Sequence, residues 1–452
     1  MAKLHFERPI IKKLNVGISN KFGSKTEFEP ITEIDGVDIK ELIVKYGSPL
    51  FIISEKTIRE TYREAKQTFE SRFPKVQFAW SYKTNYLDAV CKVFHQEGSW
   101  AEVVSRFEYE KALENGMPGN KIIFNGPDKT EDDLKIAIEN ESYIHIDHFD
   151  ELYSIMNLSE HLKKKPKVAI RVNMDTGVYP MWDRFGFNYE NGEAWEAINK
   201  ILMNDKLELV GLHTHIGTFM LSANAYHIAA SKLADLAYHI KKKYNHTIQY
   251  IDMGGGFASK NTLKGAYLSG LDTSPTFNDY AEAISSALLN SEIPPDSLPM
   301  LILETGRALI DDAGSLAGSV IAIKKLSDGR RSTIVDFGVN ILFTSFWYEH
   351  KVTPAQGFTQ YSETSSMYGP LCMNIDVIRE TITLPPLKKG DNLVVSRIGA
   401  YNMTQWMQFI TLRPKVVMID LNGTTHIIRN NESLKDVKGL ESVPEHLKKI
   451  SK

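Results

Sequence analysis

Eight short apolar runs, many of them β-branched, recur between residues 76 and 304, and polar stretches with helical spacing separate most of them. The runs are 76–82 (VQFAWSY), 101–104 (AEVV), 121–125 (KIIFN), 143–146 (YIHI), 167–173 (KVAIRVN), 207–213 (LELVGLH), 247–253 (TIQYIDM) and 300–304 (MLILE). Tyr86–Gln96, Arg106–Asn115, Glu131–Glu139 and Ala223–Lys243 carry the helical spacing. Strands that alternate with helices run parallel, because each crossover returns the chain to the same end of the sheet. Eight such units are what a closed (β/α)8 barrel needs. The expected fold is therefore α/β, with a barrel over 46–310. The Gly/Ser-rich connection after 253 is expected to extend over the barrel mouth.

Beyond residue 310 the rhythm changes. VIAIKKL, STIVDFG, NLVVSRI and KVVMIDL read as strands without helices between them, and Ser327-Asp328-Gly329 and Lys389-Gly390-Asp391 supply turns. This predicts a β-rich second domain from 311–430 joined by 1–45, with a charged tail over 431–452. A net charge of −3, spread along the chain, predicts neither a nucleic-acid nor a membrane-surface partner. No apolar run approaches the length of a spanning helix. Residues 1–13 lack the apolar stretch of a secretory signal, and the two cysteines, Cys91 and Cys372, fit a reducing cytoplasm.

Polar residues at the C-terminal ends of barrel strands line the active site of such folds. Here those ends read Lys83, Glu102 with Ser105, Asn125-Gly126-Pro127, Asp147, Arg171 with Asn173, His213 with His215, Gly254-Gly255-Gly256, and Glu304 with Arg307. A lysine at an apolar mouth loses hydration, which favours the neutral, nucleophilic amine, although a solvated strand-end lysine occupies the same position. The glycines can turn backbone amides around a phosphate, and Arg307 can add a charge-assisted bond or form an ion pair. Glu304, ending a buried strand, needs a cationic partner: a protonated ring nitrogen or a barrel arginine. His213 and His215 alternate, so one of them is expected to face the centre, where an imidazole can stack on a flat ring. No metal-ligand spacing is present.

Nine motifs in order then carry a resemblance: WSYKTN (80–85), WAEVVSRFEYEKAL (100–113), FNGPDKT (124–130), RFGF (184–187), GLHTHIG (211–217), IDMGGGF (251–257), ETGR (304–307), GPLC (369–372) and GAY (399–401). From about 48 to 415 the chain resembles the alanine-racemase-fold (fold type III) decarboxylases that depend on pyridoxal 5'-phosphate (PLP), the group of diaminopimelate and eukaryotic-type ornithine decarboxylases. The resemblance implies an alanine racemase C-terminal-like second domain and a cytoplasmic lyase of amino-acid metabolism. It implies that Lys83 holds PLP as a Schiff base, Glu304 binds the pyridine nitrogen and His215 stacks on the ring. Glu102, Arg171, Thr218, Gly255, Gly256, Thr305, Gly306, Arg307 and Tyr401 complete the implied cofactor site. Glu102 stands where the family usually has Asp. Arg307, Tyr348, Met373 and Tyr401 would meet the substrate. Cys372 would return a proton after carbon dioxide leaves, supplied by the partner subunit of a head-to-tail homodimer.

Two departures bear on the substrate. Diaminopimelate decarboxylases carry Arg-Pro before the Tyr of the segment that reads GVNILFTSFWY (338–348) here, where Thr344 and Ser345 stand instead. Family members place Glu or Asp after the cysteine, and this chain has Met373. A thioether cannot offset an ammonium. The expected substrate is therefore a different amino acid or conjugate, free or carrier-tethered, from siderophore, antibiotic or other specialised biosynthesis. Phe343, Phe346, Trp347 and Trp406 suit a bulkier or less charged distal group, and Asp183 or Arg184 can supply a replacement charge. Authentic diaminopimelate decarboxylation, racemisation on the same fold and a non-catalytic regulatory role are the alternatives. Racemisation needs a second base opposite Lys83, and a dead homologue would be expected to lose Lys83 or Cys372.

Overall fold

The computed structural model describes residues 29–358 and 362–448. The expected features of residues 1–28 and of the last four residues lie outside these. After a short hairpin of Glu33–Ile34 with Val37–Asp38, the chain enters a larger β sheet through strand β1 (Leu50–Ser54), and then a barrel of β2 (Val76–Ser81), β3 (Trp100–Val103), β4 (Ile122–Phe124), β5 (Tyr143–Ile146), β6 (Lys167–Asn173), β7 (Glu208–His213), β8 (Tyr250–Asp252) and β9 (Met300–Leu303). All eight apolar runs became barrel strands. Every neighbouring pair is parallel, and β9 pairing with β2 together with β6 pairing with β7 closes the cylinder.

Alternation along the strands sorts the side chains. Phe78 and Trp80 of β2 point outward onto Tyr62, Phe69 and Phe94 of the surrounding helices. Ala79 between them joins Ile123, Ala169, Val210, Tyr250 and Ile302 in a separate buried cluster that fills the barrel. The helices begin where side-chain caps dictate: Ser54 accepts from Thr57 N ahead of Glu55–Glu70, and Thr130 and Asp133 form a reciprocal box ahead of Glu131–Glu139.

The second domain is a bent sheet around the long strand β10 (Gly314–Lys325). Its remaining strands are β11 (Arg331–Val335), β12 (Val352–Pro354), β13 (Glu363–Tyr368), β14 (Val377–Leu384), β15 (Asn392–Ser396), β16 (Val416–Ile419) and β17 (Thr425–Arg429). The first half of β10 pairs with β1 and β15, the second half with β11. Strand β1 lies inside the range expected for the barrel, yet it bonds to β10 and β16. Its side chains Leu50 and Ile52 share a core with Ile39, Leu42, Ala317, Val394 and Val417. Among the described residues no helix is long and apolar enough to cross a membrane.

One turn of this domain reaches the barrel mouth. Tyr401 N donates to Thr84 O at 2.9 Å, Asn85 Nδ2 donates to Gly399 O at 3.1 Å, and Ala400 N donates to Asp311 Oδ1 at 3.0 Å. Tyr401 takes φ of 61°, a cost that a non-glycine residue bears only where its surroundings hold it. Both domains therefore build one site.

Candidate active site

A cavity of about 740 Å³ opens at the C-terminal ends of the barrel strands. Lys83, Glu102, Arg171, His215, Thr218, Glu304, Arg307, Tyr348 and Tyr401 line it, and Gly255, Gly256 and Gly306 line a niche beside it. Three expected residues are not brought in. Thr305 is buried behind its turn, and Cys372 and Met373 are not part of the wall that this chain builds.

Lys83 sits on a short turn, Tyr82–Thr84, just past β2. Its Nζ donates to both oxygens of fully buried Glu102, at 2.7 and 2.6 Å. The expectation of a depressed ammonium is overturned. Burial presses its pKa down, but Glu102, then Glu304 and Tyr401, outweigh burial and hold it above the ordinary lysine value. Position alone does not reveal this, because Glu102 comes from the neighbouring strand.

Glu304 forms the floor. Asn125 Nδ2 donates to Glu304 Oε1 at 2.6 Å and to Glu102 Oε1 at 3.0 Å. His213 Nε2 lies 3.4 Å from Glu304 Oε2, and His145 Nδ1 lies 4.0 Å from Oε1. Burial holds both imidazoles well below their ordinary pKa, so they are neutral at neutral pH. Asp252 is fully buried, and burial followed by the nearby Glu304 pushes the pKa of its carboxyl well up. The barrel arginine considered as a partner, Arg171, approaches Asp147 instead, at 3.6 Å. Among the described residues no lysine or arginine pairs with Glu304.

His145, His213 and Glu304 bring three potential ligand atoms within 4.8 Å. Sequence reasoning named Asn125, His213 and Glu304 at strand ends without grouping them, and it missed His145 and Asp252, because strands β4, β5, β7, β8 and β9 contribute one member each with no local motif. It also expected one of His213 and His215 to face the centre, whereas both line the cavity. β7 ends at His213, so His215 belongs to the following loop and escapes strand alternation.

The glycine segment differs from the expected cradle. Gly254 N donates to Asp252 Oδ1, and Gly255 N donates to His215 Nδ1 at 3.0 Å, which fixes the ring for stacking. Gly256 alone of the three keeps its amide without an acceptor among the described residues. A Cβ there would lie 2.1 Å from Gly217 O, and one at Gly306 would lie 2.0 Å from Thr84 Oγ1. Arg307, with its Nη1 buried and without a hydrogen-bond partner, lies over the ring of Tyr401 at 4.6 Å. Its Nη1 also lies 3.9 Å from buried Asp311 Oδ2. These groups suit PLP: a stacking imidazole, an uncompensated anion for the ring nitrogen, and a glycine niche beside the Arg307 guanidinium for the phosphate.

The substrate side also changes. Thr344 does not line the cavity: its Oγ1 donates to Asn402 Oδ1 at 2.9 Å and meets His350 Nε2 at 2.8 Å. Asp183 and Arg184 do not line it either, and Arg184 lies over Phe185. Of Phe343, Phe346, Trp347 and Trp406, only Trp347 reaches the wall. The wall beyond the charged groups already placed consists mainly of Tyr179, Trp182, Phe185, Phe219, Leu221, Leu263 and Trp347.

Comparison with known proteins agrees with the geometry. The family model for the pyridoxal binding domain of pyridoxal-dependent decarboxylases matches residues 55–311. The diaminopimelate decarboxylase of Bacillus subtilis is 29% identical over 426 residues, covering 90% of this chain and 94% of that protein. The crystal structure of the Methanocaldococcus jannaschii diaminopimelate decarboxylase superposes with a TM-score of 0.85 at 28% identity, covering 93% of this chain and 98% of that one. A lysine/ornithine decarboxylase from Vibrio vulnificus, at 21% identity and a TM-score of 0.72, shares the fold. With Lys83, Glu304 and the glycine niche gathered at one rim of such a barrel, the chain belongs to the fold type III pyridoxal-dependent decarboxylases and is a PLP-dependent amino-acid carboxy-lyase.

Proposed function

We propose that this decarboxylase acts on an amino acid whose distal end is uncharged or bulky, rather than on diaminopimelate, lysine or ornithine. The observation that carries this reading is the wall of the cavity. Its carboxylates are Glu102, bound to Lys83, and Glu304, on the floor, and no other acidic side chain among the described residues lines it. A distal ammonium would lose its hydration there without a counter-charge. Trp182, 5.6 Å from the His215 ring, and Trp347 offer flat apolar surface instead.

The residue roles follow from chemistry. Bound PLP supplies the electron sink for the pair left by departing carbon dioxide. Lys83 Nζ would hold the cofactor aldehyde. Glu304 keeps a proton on the ring nitrogen. His215 covers one ring face, while Gly256, Gly306 and Arg307 hold the phosphate. Thr218, Tyr348 and Tyr401 border substrate and cofactor. Thr305 acts only through the turn it belongs to.

Cys372 Sγ returns a proton to the substrate α-carbon from a second copy of the chain, which also brings Met373 to the site. Exposed Cys372 supports this, since Asp376 accepts from Val339 N and Leu371 N, both at 2.8 Å, and fixes the turn that projects it outward. Exposed Ile375, Met407, Phe409 and Ile410 give apolar surface for a homodimer.

A second reading, diaminopimelate decarboxylation, is favoured by the names of the relatives. Carbon dioxide release from meso-diaminopimelate, lysine, ornithine and a panel of aromatic and acylated amino acids decides between them. Negligible release from the first three is expected, and robust release from any of them selects the second reading or its basic-amino-acid counterpart.

A further inference from the structure

Tyr250 is buried inside the barrel, and its hydroxyl has one hydrogen-bond partner among the described residues, His145 Nε2 at 2.9 Å. Room for its ring is made by Gly211, where a Cβ would lie 2.3 Å from it. A buried phenol O–H needs an acceptor, and burial keeps this phenol protonated. It therefore donates to Nε2, which leaves the single proton of the neutral imidazole on Nδ1. His145 Nδ1 has no hydrogen-bond partner, and it lies 4.0 Å from Glu304 Oε1.

We propose that Tyr250 and His145 form a fixed donor relay beneath the cofactor site, with His145 a positioning residue that aims an N–H dipole at Glu304 and so holds the carboxylate against the cofactor ring nitrogen. This rests on the role given to Glu304 above. The separation exceeds a hydrogen bond, but in a dry site an oriented dipole acts over that distance. The other tautomer would turn a nitrogen lone pair toward Glu304 and repel it. His213, whose ring centroid is 4.6 Å from that of His145, faces the second carboxylate oxygen. Asn125, donating to Oε1 at 2.6 Å, brings an uncharged donor to a shell that surrounds the charge without cancelling it. The charge is thereby kept for the ring nitrogen.

The test has two arms. In the apo chain labelled with 15N-histidine, the resonance lost in His145→Gln identifies His145. It is expected to show the Nδ1–H tautomer, and to become a mixture in Tyr250→Phe. In the chain loaded with ring-15N pyridoxal phosphate, the ring-nitrogen resonance is expected to move toward its unprotonated position in Tyr250→Phe and His145→Leu. His145→Asn, which restores a donor, is expected to move it back. An Nε2–H tautomer in the wild type, or a ring-nitrogen resonance identical in wild type and both variants, overturns the proposal. If the wild-type chain takes up no PLP, the role of Glu304 fails, whereas the apo tautomer still decides the relay.

Discussion

Lys83 Nζ is clamped between the two carboxylate oxygens of Glu102, at 2.7 and 2.6 Å. The clamp favours the ammonium over the amine, although only the neutral amine can attack the cofactor aldehyde. Burial works against the charge, but the carboxylates beside it win, so the folded pKa is raised. A raised pKa means that the reactive fraction grows with pH throughout the neutral range. The rate of PLP capture by the apo chain is therefore expected to rise with pH. Glu102→Gln should capture faster at pH 7, by about tenfold for each unit that the pKa falls. Stopped-flow absorbance measures this, and Lys83→Ala should show no stable visible band.

Gly256 has φ of 90°, and a Cβ there would lie 2.1 Å from a backbone oxygen that cannot swing away. Gly256→Ala is thus expected to lower the stability of the apo chain by about 1–3 kcal/mol through overpacking alone. It should also weaken PLP binding, since its amide is the free donor of the niche. Urea unfolding and a PLP titration separate the two effects. Gly265, with open space around it, serves as a control: Gly265→Ala should leave PLP binding unchanged.

The barrel was legible because its strands are buried on both faces and therefore apolar throughout, and because helical spacing separates them. Strand β1 was not, because Leu50–Ser54 looks like any barrel strand until its partners are known. β12, β13 and β14 were missed because Thr, Ser, Glu and Arg interrupt their apolar pattern. Within the site, residues placed by motif, such as Lys83, His215 and Arg307, could be named in advance. Asn125, His145 and Asp252 could not be given roles, since their meaning lies in contacts across strands. Thr344 was expected near the substrate from its place in a segment, whereas its hydroxyl turns to Asn402 and His350.

Cys372 supports a test of shared sites. If each site joins Lys83 of one copy to Cys372 of the other, then Lys83→Ala and Cys372→Ala chains are each inactive alone. Mixed and reassembled, random pairing places one intact site in half of the dimers, so about a quarter of wild-type activity is expected to return. Cys372→Ala alone should lose about 10²–10⁴ in kcat, the usual worth of a positioned proton donor, while keeping the bound-PLP spectrum. No recovery on mixing, with dimers verified by light scattering, would argue that each chain completes its own site.

His350 gives the chain a measurable response to acid. Burial, then the nearby Arg307 and Arg379, push its pKa down to about 3, and its Nε2 bonds to Thr344 Oγ1. In the unfolded chain it titrates at the ordinary value of about 6.5. Between those two values the unfolded state binds the extra proton, so stability is lost as pH falls below about 6.5. Total stability does not isolate this effect, because buried Glu108 and Asp311 have pKa values raised to about 7 and about 6, respectively, and contribute with the opposite sign. The difference between His350→Gln and wild type does isolate it, since the acids are common to both chains. Glutamine keeps a polar group near Thr344 and does not titrate. The variant is expected to be the less stable at pH 7 and to gain on the wild type by about 1.4 kcal/mol per pH unit below roughly 6.5. Urea unfolding of both apo chains at pH 7, 6 and 5 measures this, and a difference that stays constant across the three would show that His350 titrates alike in the folded and unfolded chains.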